Sequence, residues 1–378
     1  MKLRFKNLSS RPGILQYPDQ LLLFAVLFLV AFGMIMVFSS SSVISLHERA
    51  DPLYFFRRHV FRVGLGIALM AALSYFDYRK VLKFGPLICG VSILLLFLVL
   101  IPGIGVLVQG GRRWMDIGGF RFQPSEIFKL AYVIFLANSL SMIASFQRPF
   151  VKLILPHFLL LGVCSGLIVM QPNLSTAILI VGIGLSVIFV VYRNRILLLV
   201  LGASVPATVG ALIWSAPYRM RRITAFLNPF ENQQDSGYQI IQSFVSLGSG
   251  GLLGLGLGQS RQKFFYLPEE HTDFIFAVLG EEFGFVGCMV VIFSFAVLIY
   301  RGLRVALLVP DFGGKLLAFG IVMYLFFQIM LNLAVVSGII PPTGVPLPFV
   351  SYGGTSLVIN LAAVGILLSV SRHVNPEH

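Results

Sequence analysis

The sequence predicts an all-α, polytopic membrane protein with about ten transmembrane helices and one large extracytoplasmic loop between helices 7 and 8. Three observations predict it. Of the 378 residues only 11% are charged and 57% are apolar, whereas a domain bathed in water carries roughly 25% charged residues. The mean hydropathy is +0.90. Apolar runs long enough to span a bilayer recur along the chain, and they are apolar on every face rather than alternating as barrel strands do. The same composition excludes a disordered, collagenous or disulfide-stapled chain. Cys89, Cys164 and Cys288 each lie inside an apolar run and read as small buried hydrophobes, not ligands or bridges. The net charge of +13 points to anionic lipid headgroups or an anionic lipid-linked substrate. Nucleic acid is not expected, because no basic domain lies outside the membrane.

A span needs about 20 residues at 1.5 Å each to cross about 30 Å of hydrocarbon. The first run, 21–44, lacks a small-residue cleavage site and is followed by others, so it reads as a span and not a removable signal. Runs 60–76 and 84–101 follow, joined by a short basic link. The run 126–146 opens on Pro124 and Ser125, both good helix-start residues. Next come 153–170, 174–192 and 196–214 and, after the long connection 216–272, the runs 273–300, 316–340 and 355–371. An even number of spans puts both termini on one side. The short connections on that side hold Lys2, Lys6, Arg79, Lys80, Arg193, Arg195, Arg301 and Arg304 among others. Much of the opposite side's positive charge sits in 216–272, and long loops weigh little in orientation. The tails 1–20 and 372–378 are therefore expected in the cytoplasm, with 1–378 forming one transmembrane domain. The connections 102–125, 216–272 and 341–354 fall outside and carry the unusual sequence, so chemistry is expected on the outer face.

Walker A, GxGxxG, HExxH and CxxC motifs are all missing, and the six histidines have no metal-ligand spacing. The glycine-rich run Gly248–Gly258 reads as a tight loop packed on the bundle, since no strand precedes it to make a phosphate cradle. Asp273 opens the eighth span, where a carboxylate either caps the helix or does chemistry. Glu281 and Glu282 lie about 12–13 Å deeper, where a carboxylate is costly and is expected to have a structural partner. Glu126 and Lys129 share one helix face at i and i+3, as an internal ion pair or as a cation held for an anionic headgroup. Arg112, Arg113 and Arg121 crowd one outer connection, and Arg219, Arg221 and Arg222 begin another. Arginine forks suit phosphate, so these six suggest an anion to bind. The run Ile339–Ser356 holds four prolines and three glycines. It cannot be helical yet is apolar enough to enter the membrane, and it reads as a re-entrant segment lining a cavity.

Three stretches carry a resemblance that covers about residues 15 to 371. They are Arg121-Phe-Gln-Pro-Ser-Glu-Ile-Phe-Lys129, Leu267-Pro-Glu-Glu-His-Thr-Asp-Phe-Ile-Phe-Ala277 with Gly280-Glu-Glu282, and Pro342 to Gly354. Together they resemble the SEDS family (shape, elongation, division and sporulation) of peptidoglycan glycosyltransferases. The stretch Gln262-Lys-Phe-Phe-Tyr-Leu-Pro-Glu-Glu-His271 is more like the division members than the elongation members. One departure is Gln171-Pro-Asn-Leu-Ser-Thr176, where the family has Pro-Asp-Leu-Gly-Thr. Asn173 lacks that charge, so no catalysis is placed there. The resemblance implies lipid II as substrate, with attack of a GlcNAc 4-hydroxyl on the anomeric carbon of the chain whose lipid pyrophosphate leaves, and with inversion. It implies Asp273 as the catalytic base, with Arg121 and Lys129 serving the anionic headgroup. Arg112, Arg113, Glu126, His271 and Ser351 complete the candidate substrate-binding set. A divalent cation could assist the pyrophosphate, although no acidic cluster demands one. An apolar groove is expected for the polyprenyl tail. A class B penicillin-binding protein, with other membrane proteins of the division machinery, is the expected partner, because nothing in the chain resembles a transpeptidase. A lipid II flippase and a non-catalytic scaffold are the two alternatives.

Overall fold

The computed structural model describes residues 17–108, 110–143, 150–192, 195–231, 236–264 and 266–374. The outermost parts of both expected tails, 1–16 and 375–378, lie outside the described residues. Ten long helices occupy the ten apolar runs: α1 (Gln20–Arg49), α2 (Tyr54–Tyr75), α3 (Tyr78–Leu98), α4 (Pro124–Ile143), α5 (Phe150–Met170), α6 (Leu174–Val191), α7 (Arg195–Trp214), α10 (Ile275–Leu308), α11 (Phe312–Val336) and α12 (Gly354–Ser371). Two shorter helices, α8 (Pro217–Leu227) and α9 (Ser236–Ser249), lie in the long connection. Among the described residues, α1, α3, α6, α10, α11 and α12 are long and apolar enough to cross a membrane, and α5 and α7 add shorter apolar stretches. Arg57, Arg58 and Arg62 make α2 more polar at its start.

α11 and α12 form the centre. α11 touches α4, α6, α10 and α12, while α12 packs along α2 and α3 along α4. α12 is apolar all round and almost wholly buried, as a helix inside a membrane bundle should be. At one end of the bundle, Asp19 caps α1 by accepting from the Leu22 N–H and pairs with Arg301 at 2.6 Å, and its own N–H donates to Ser371 Oγ. This joins the ends of α1, α10 and α12. Tyr78 donates to Asp311 beside it, tying α3 to the start of α11.

One departure from an all-α reading is a small antiparallel sheet in the connection 102–125, made of β1 (Gly105–Val108), β2 (Gly111–Ile117) and β3 (Phe120–Phe122). Gly105 faces Met115, and Met115 faces Phe122. Gly118 and Gly119, both at positive φ, form the tight turn that such a meander needs.

α10 is broken at Gly284 (φ 62°, ψ −163°). The glycine-rich run fills the break. Phe285 and Val286 donate their N–H groups to the Gly251 and Leu252 carbonyls at 2.9 and 3.1 Å, while the Leu255 and Gly256 N–H groups donate to the carbonyls of Glu281 and Glu282 at 2.9 and 3.0 Å. Backbone meets backbone here, so a Cβ at Gly254 would run into the Glu282 carbonyl. The run is a packed loop, and it satisfies polar backbone that hydrocarbon could not.

Candidate functional site

The chain between the glycine-rich run and α10 is held from below by two buried carboxylates. Glu281 accepts from Ser260 Oγ at 2.5 Å and from the Arg261 N–H at 2.9 Å. Glu282 accepts from Ser39 Oγ at 2.6 Å and pairs with Lys263 at 3.4 Å. Both acids thus have the structural partners that their depth demanded. Above them, Thr272 Oγ1 donates to Glu269 Oε2 at 2.7 Å, and Glu269 itself sits at φ 58°. That left-handed conformation is uncommon outside glycine and turns the chain toward α10.

Asp273 stands at the mouth this turn creates. The cap residue of α10 is Phe274, with no side-chain capping bond, so Asp273 is not the helix cap. Its main-chain carbonyl accepts from Asn332 Nδ2 at 2.8 Å, and the same amide donates to the Val345 carbonyl at 2.8 Å. α11 thereby joins the Asp273 turn to the non-helical segment 341–353. A second tie runs from the Tyr352 N–H to the His271 carbonyl at 2.9 Å. The backbone at Gly344 passes close enough that a Cβ there would lie 3.4 Å from Asp273 Oδ2. The carboxylate itself is half-buried. Burial pushes it up to about 7, Glu269 adds to the shift, and the Arg222 guanidinium opposes it. Glu270 is also raised to about 7, mainly by burial. Burial lowers His271, against the pull of Glu269 and Glu48. Its ring stacks on Phe55 with centroids 5.3 Å apart, and its Nδ1 is buried without a hydrogen-bond partner among the described residues.

The cations fall into three environments. Arg121 is exposed and pairs with Asp116 at 3.2 Å, on the sheet; Arg112 is half-buried on β2, opposite Leu107. Arg113 donates to the carbonyls of Gln171 and Pro172 at 2.9 and 2.7 Å, which pins β2 to the turn between α5 and α6. Burial and then Arg222 lower its pKa, so Arg113, Arg222 and Asp273 share one electrostatic neighbourhood. Lys129 is different. It is 1% exposed, pairs with Glu126 at 2.8 Å, and lies 3.5 Å from Gln328 Oε1 and 5.3 Å from the Tyr324 ring centroid. The internal-pair reading therefore describes its contacts among the described residues. Ser351 is also internal, its Oγ accepting from the Leu347 N–H at 2.9 Å.

Sequence reasoning missed the polar ladder of α11. Tyr324, Gln328 and Asn332 stand at i, i+4 and i+8, one above the other. Gln328 donates to the Pro346 carbonyl and to Ser356 Oγ, while Tyr324 donates to Asn360. Three polar residues at that spacing in an apolar span were the available signal. Among the described residues no three His, Cys, Asp or Glu side chains converge to hold a metal ion. Between α5, α6 and α7 lies an apolar cavity of about 440 Å³, lined by Leu161, Val169, Leu174, Ile178, Val205 and Leu212 among others. Its Val169 and Leu174 walls flank the turn that Arg113 holds.

A bundle of helices long and apolar enough to cross a membrane, with a carboxylate at its mouth that caps no helix, defines a polytopic membrane protein. Comparison with known proteins gives the family. The model of the FtsW, RodA and SpoVE cell cycle proteins matches residues 19–376, and the chain belongs to that family. It is 44% identical over 360 residues to stage V sporulation protein E of Bacillus subtilis, covering 94% of this chain and 97% of that one. It is 41% identical over 369 residues to the "Probable peptidoglycan glycosyltransferase FtsW" of Geobacter sulfurreducens, covering 97% and 99%. Thermus thermophilus RodA superposes with a TM-score of 0.69 at 30% identity, covering 94% of this chain and 97% of that structure. A chain from a peptidoglycan synthase complex superposes at 0.75 and 30%, covering 94% and 98%. The similarities thus reach sporulation and division proteins alike, a distinction that the Gln262–His271 stretch had not addressed.

Proposed function

We propose that this protein is a peptidoglycan glycosyltransferase of cell division that polymerises lipid II at the outer face of the cytoplasmic membrane. The observation that carries the proposal is the Asp273 carboxylate, free of hydrogen bonds among the described residues, raised to about 7 and within the electrostatic reach of Arg222. In this reading Asp273 takes the proton from the GlcNAc 4-hydroxyl as that oxygen attacks the anomeric carbon of the donor. The bond to the lipid pyrophosphate breaks, and the pyrophosphate leaves with the electron pair. Direct displacement turns the α-linked donor into a β-linked glycan. Arg113 and Arg222 stabilise the departing charge, and Arg112 and Arg121 meet the headgroup on the sheet. Lys129, with Glu126, contributes its field from below, while His271 and Ser351 shape the wall. The polyprenyl tail enters the cavity between α5 and α7. A class B penicillin-binding protein cross-links the product, in company with other septal membrane proteins. A role in sporulation is the second reading, favoured by the 44% identity to stage V sporulation protein E.

The test is polymerisation of lipid II by the purified protein, with and without the penicillin-binding partner. A flippase would make no new glycosidic bond, and a scaffold would make none without a second polymerase. The same assay reads the base. Asp273 is active when ionised, so turnover should rise tenfold per pH unit below about 7 and level off above it. Glu270 titrates in the same range, so Glu270→Gln should keep this limb if Asp273 is its source. Loss of the limb in Glu270→Gln would move the assignment.

The orientation has its own measurement. Both tails and the connections 77–83, 193–195 and 301–315 are proposed to be cytoplasmic, and 216–272 outside. Asn232, in that connection, lies outside the described residues, but Glu231 beside it is exposed. All three native cysteines are buried, so background labelling is low. Glu231→Cys should react with a membrane-impermeant thiol reagent in intact spheroplasts. Reaction only after lysis would invert the topology.

A further inference from the structure

α8 has a use that the chemistry above does not absorb. Two residues separate its start at Pro217 from the end of α7 at Trp214, whose side chain is 83% exposed. Arg219 donates to the Leu212 carbonyl at 2.7 Å, which folds the first turn of α8 back against the end of α7. α8 therefore lies across the boundary where a span stops, at the same end of the bundle as Asp273. Its sides differ. Met220, Ile223 and Leu227 stand at i, i+3 and i+7 on one stripe, and Met220 and Leu227 are exposed. Ala225 is buried on the opposite side, flanked by Arg221 and Arg222, both exposed. The stripe thus points away from the protein, and α8 contains no acidic residue. Phe230, just beyond the helix, is exposed as well.

A short helix with three arginines, a largely exposed apolar stripe and an indole at its root has the chemistry of an interfacial helix. Tryptophan favours the headgroup level, and each basic side chain at a membrane surface favours anionic lipid. We propose that α8 lies in the membrane interface and gathers anionic phospholipid headgroups through Arg221 at the rim of the site. The occupant is a phospholipid of the surrounding leaflet, matched by charge on one side of the helix and by apolar area on the other.

The test uses the full chain in vesicles of phosphatidylcholine with a minor fraction of phosphatidylglycerol. Two matched sets carry bromine on the acyl chains of one lipid or the other, and the fluorescence difference between the unchanged protein and Trp214→Phe isolates Trp214. Brominated phosphatidylglycerol should quench Trp214 beyond its mole fraction, by about fivefold local enrichment for one arginine. The excess should disappear in Arg221→Gln, survive in Arg221→Lys, and fade at about 1 M salt, where charges are screened within about 3 Å. Quenching in proportion to mole fraction for both lipids would overturn the anionic preference. So would an enrichment that survives Arg221→Gln. No quenching by either lipid would take α8 out of the interface altogether.

Discussion

Asp273→Asn is expected to give a protein that inserts, folds and binds its partner but forms no detectable glycan, with turnover down about 10²–10⁴-fold. The change is isosteric, and the structure removes the reasons for which it should harm the fold. Asp273 does not cap α10, whose cap is Phe274. The bond that holds this residue comes from Asn332 to its main-chain carbonyl, which asparagine retains. Burial already disfavours the charge, so a neutral amide relieves a cost instead of adding one. Only the ability to accept a proton is lost. A residue with a purely structural role would leave turnover near its starting value, since asparagine fills the same space. The two outcomes differ by roughly 3–5 kcal/mol in the activation barrier. They are read by gel analysis of glycan made from lipid II, alongside the melting temperature in detergent. Normal polymerisation by the asparagine variant would remove Asp273 from the chemistry.

The parts of the fold legible in the sequence are those set by the solvent. A bilayer imposes a length and a composition on each span, and the ten helices follow the ten apolar runs. It also demands partners for deep carboxylates, and Glu281 and Glu282 have them. What stayed illegible was set by contacts distant in the chain. Nothing local to Gly248–Gly258 says that its backbone completes a helix broken at Gly284; that depends on Glu281 and Glu282 presenting their carbonyls. The sheet in 102–125 was legible in part. Gly118-Gly119 between Trp114-Met-Asp-Ile117 and Phe120-Arg-Phe122 is a hairpin signal, weak because strands this short carry little alternation. The arginines show the limit best. Composition could say that six cations sit against the usual charge bias. Only the fold could say that Arg113 is spent on the carbonyls of Gln171 and Pro172, that Arg121 leans on Asp116, and that Arg222 acts on Asp273.

Lys129 gives the other large expected effect, this time on stability. Lys129→Met should destabilise the protein by about 3–5 kcal/mol, the usual result of removing one partner of a buried ion pair. Glu126 would be left nearly buried without its cation, and its Oε2 already has no hydrogen-bond partner among the described residues. Gln328 could not compensate, because its amide is committed to the Pro346 carbonyl and Ser356 Oγ. The consequence reaches the site through α11, where Asn332 one turn away holds both Asp273 and Val345. The double variant Glu126→Gln with Lys129→Met should recover most of the lost stability, since replacing both members of a buried pair is often close to neutral. The double variant also separates structure from electrostatics. If Lys129 only closes the pair, turnover per folded molecule returns with stability. If its field also serves the lipid pyrophosphate, stability returns while lipid II use stays about tenfold to a hundredfold low, the loss expected for one charge-assisted interaction. A Lys129→Met protein that melts with the unchanged chain would show that the pair holds nothing together.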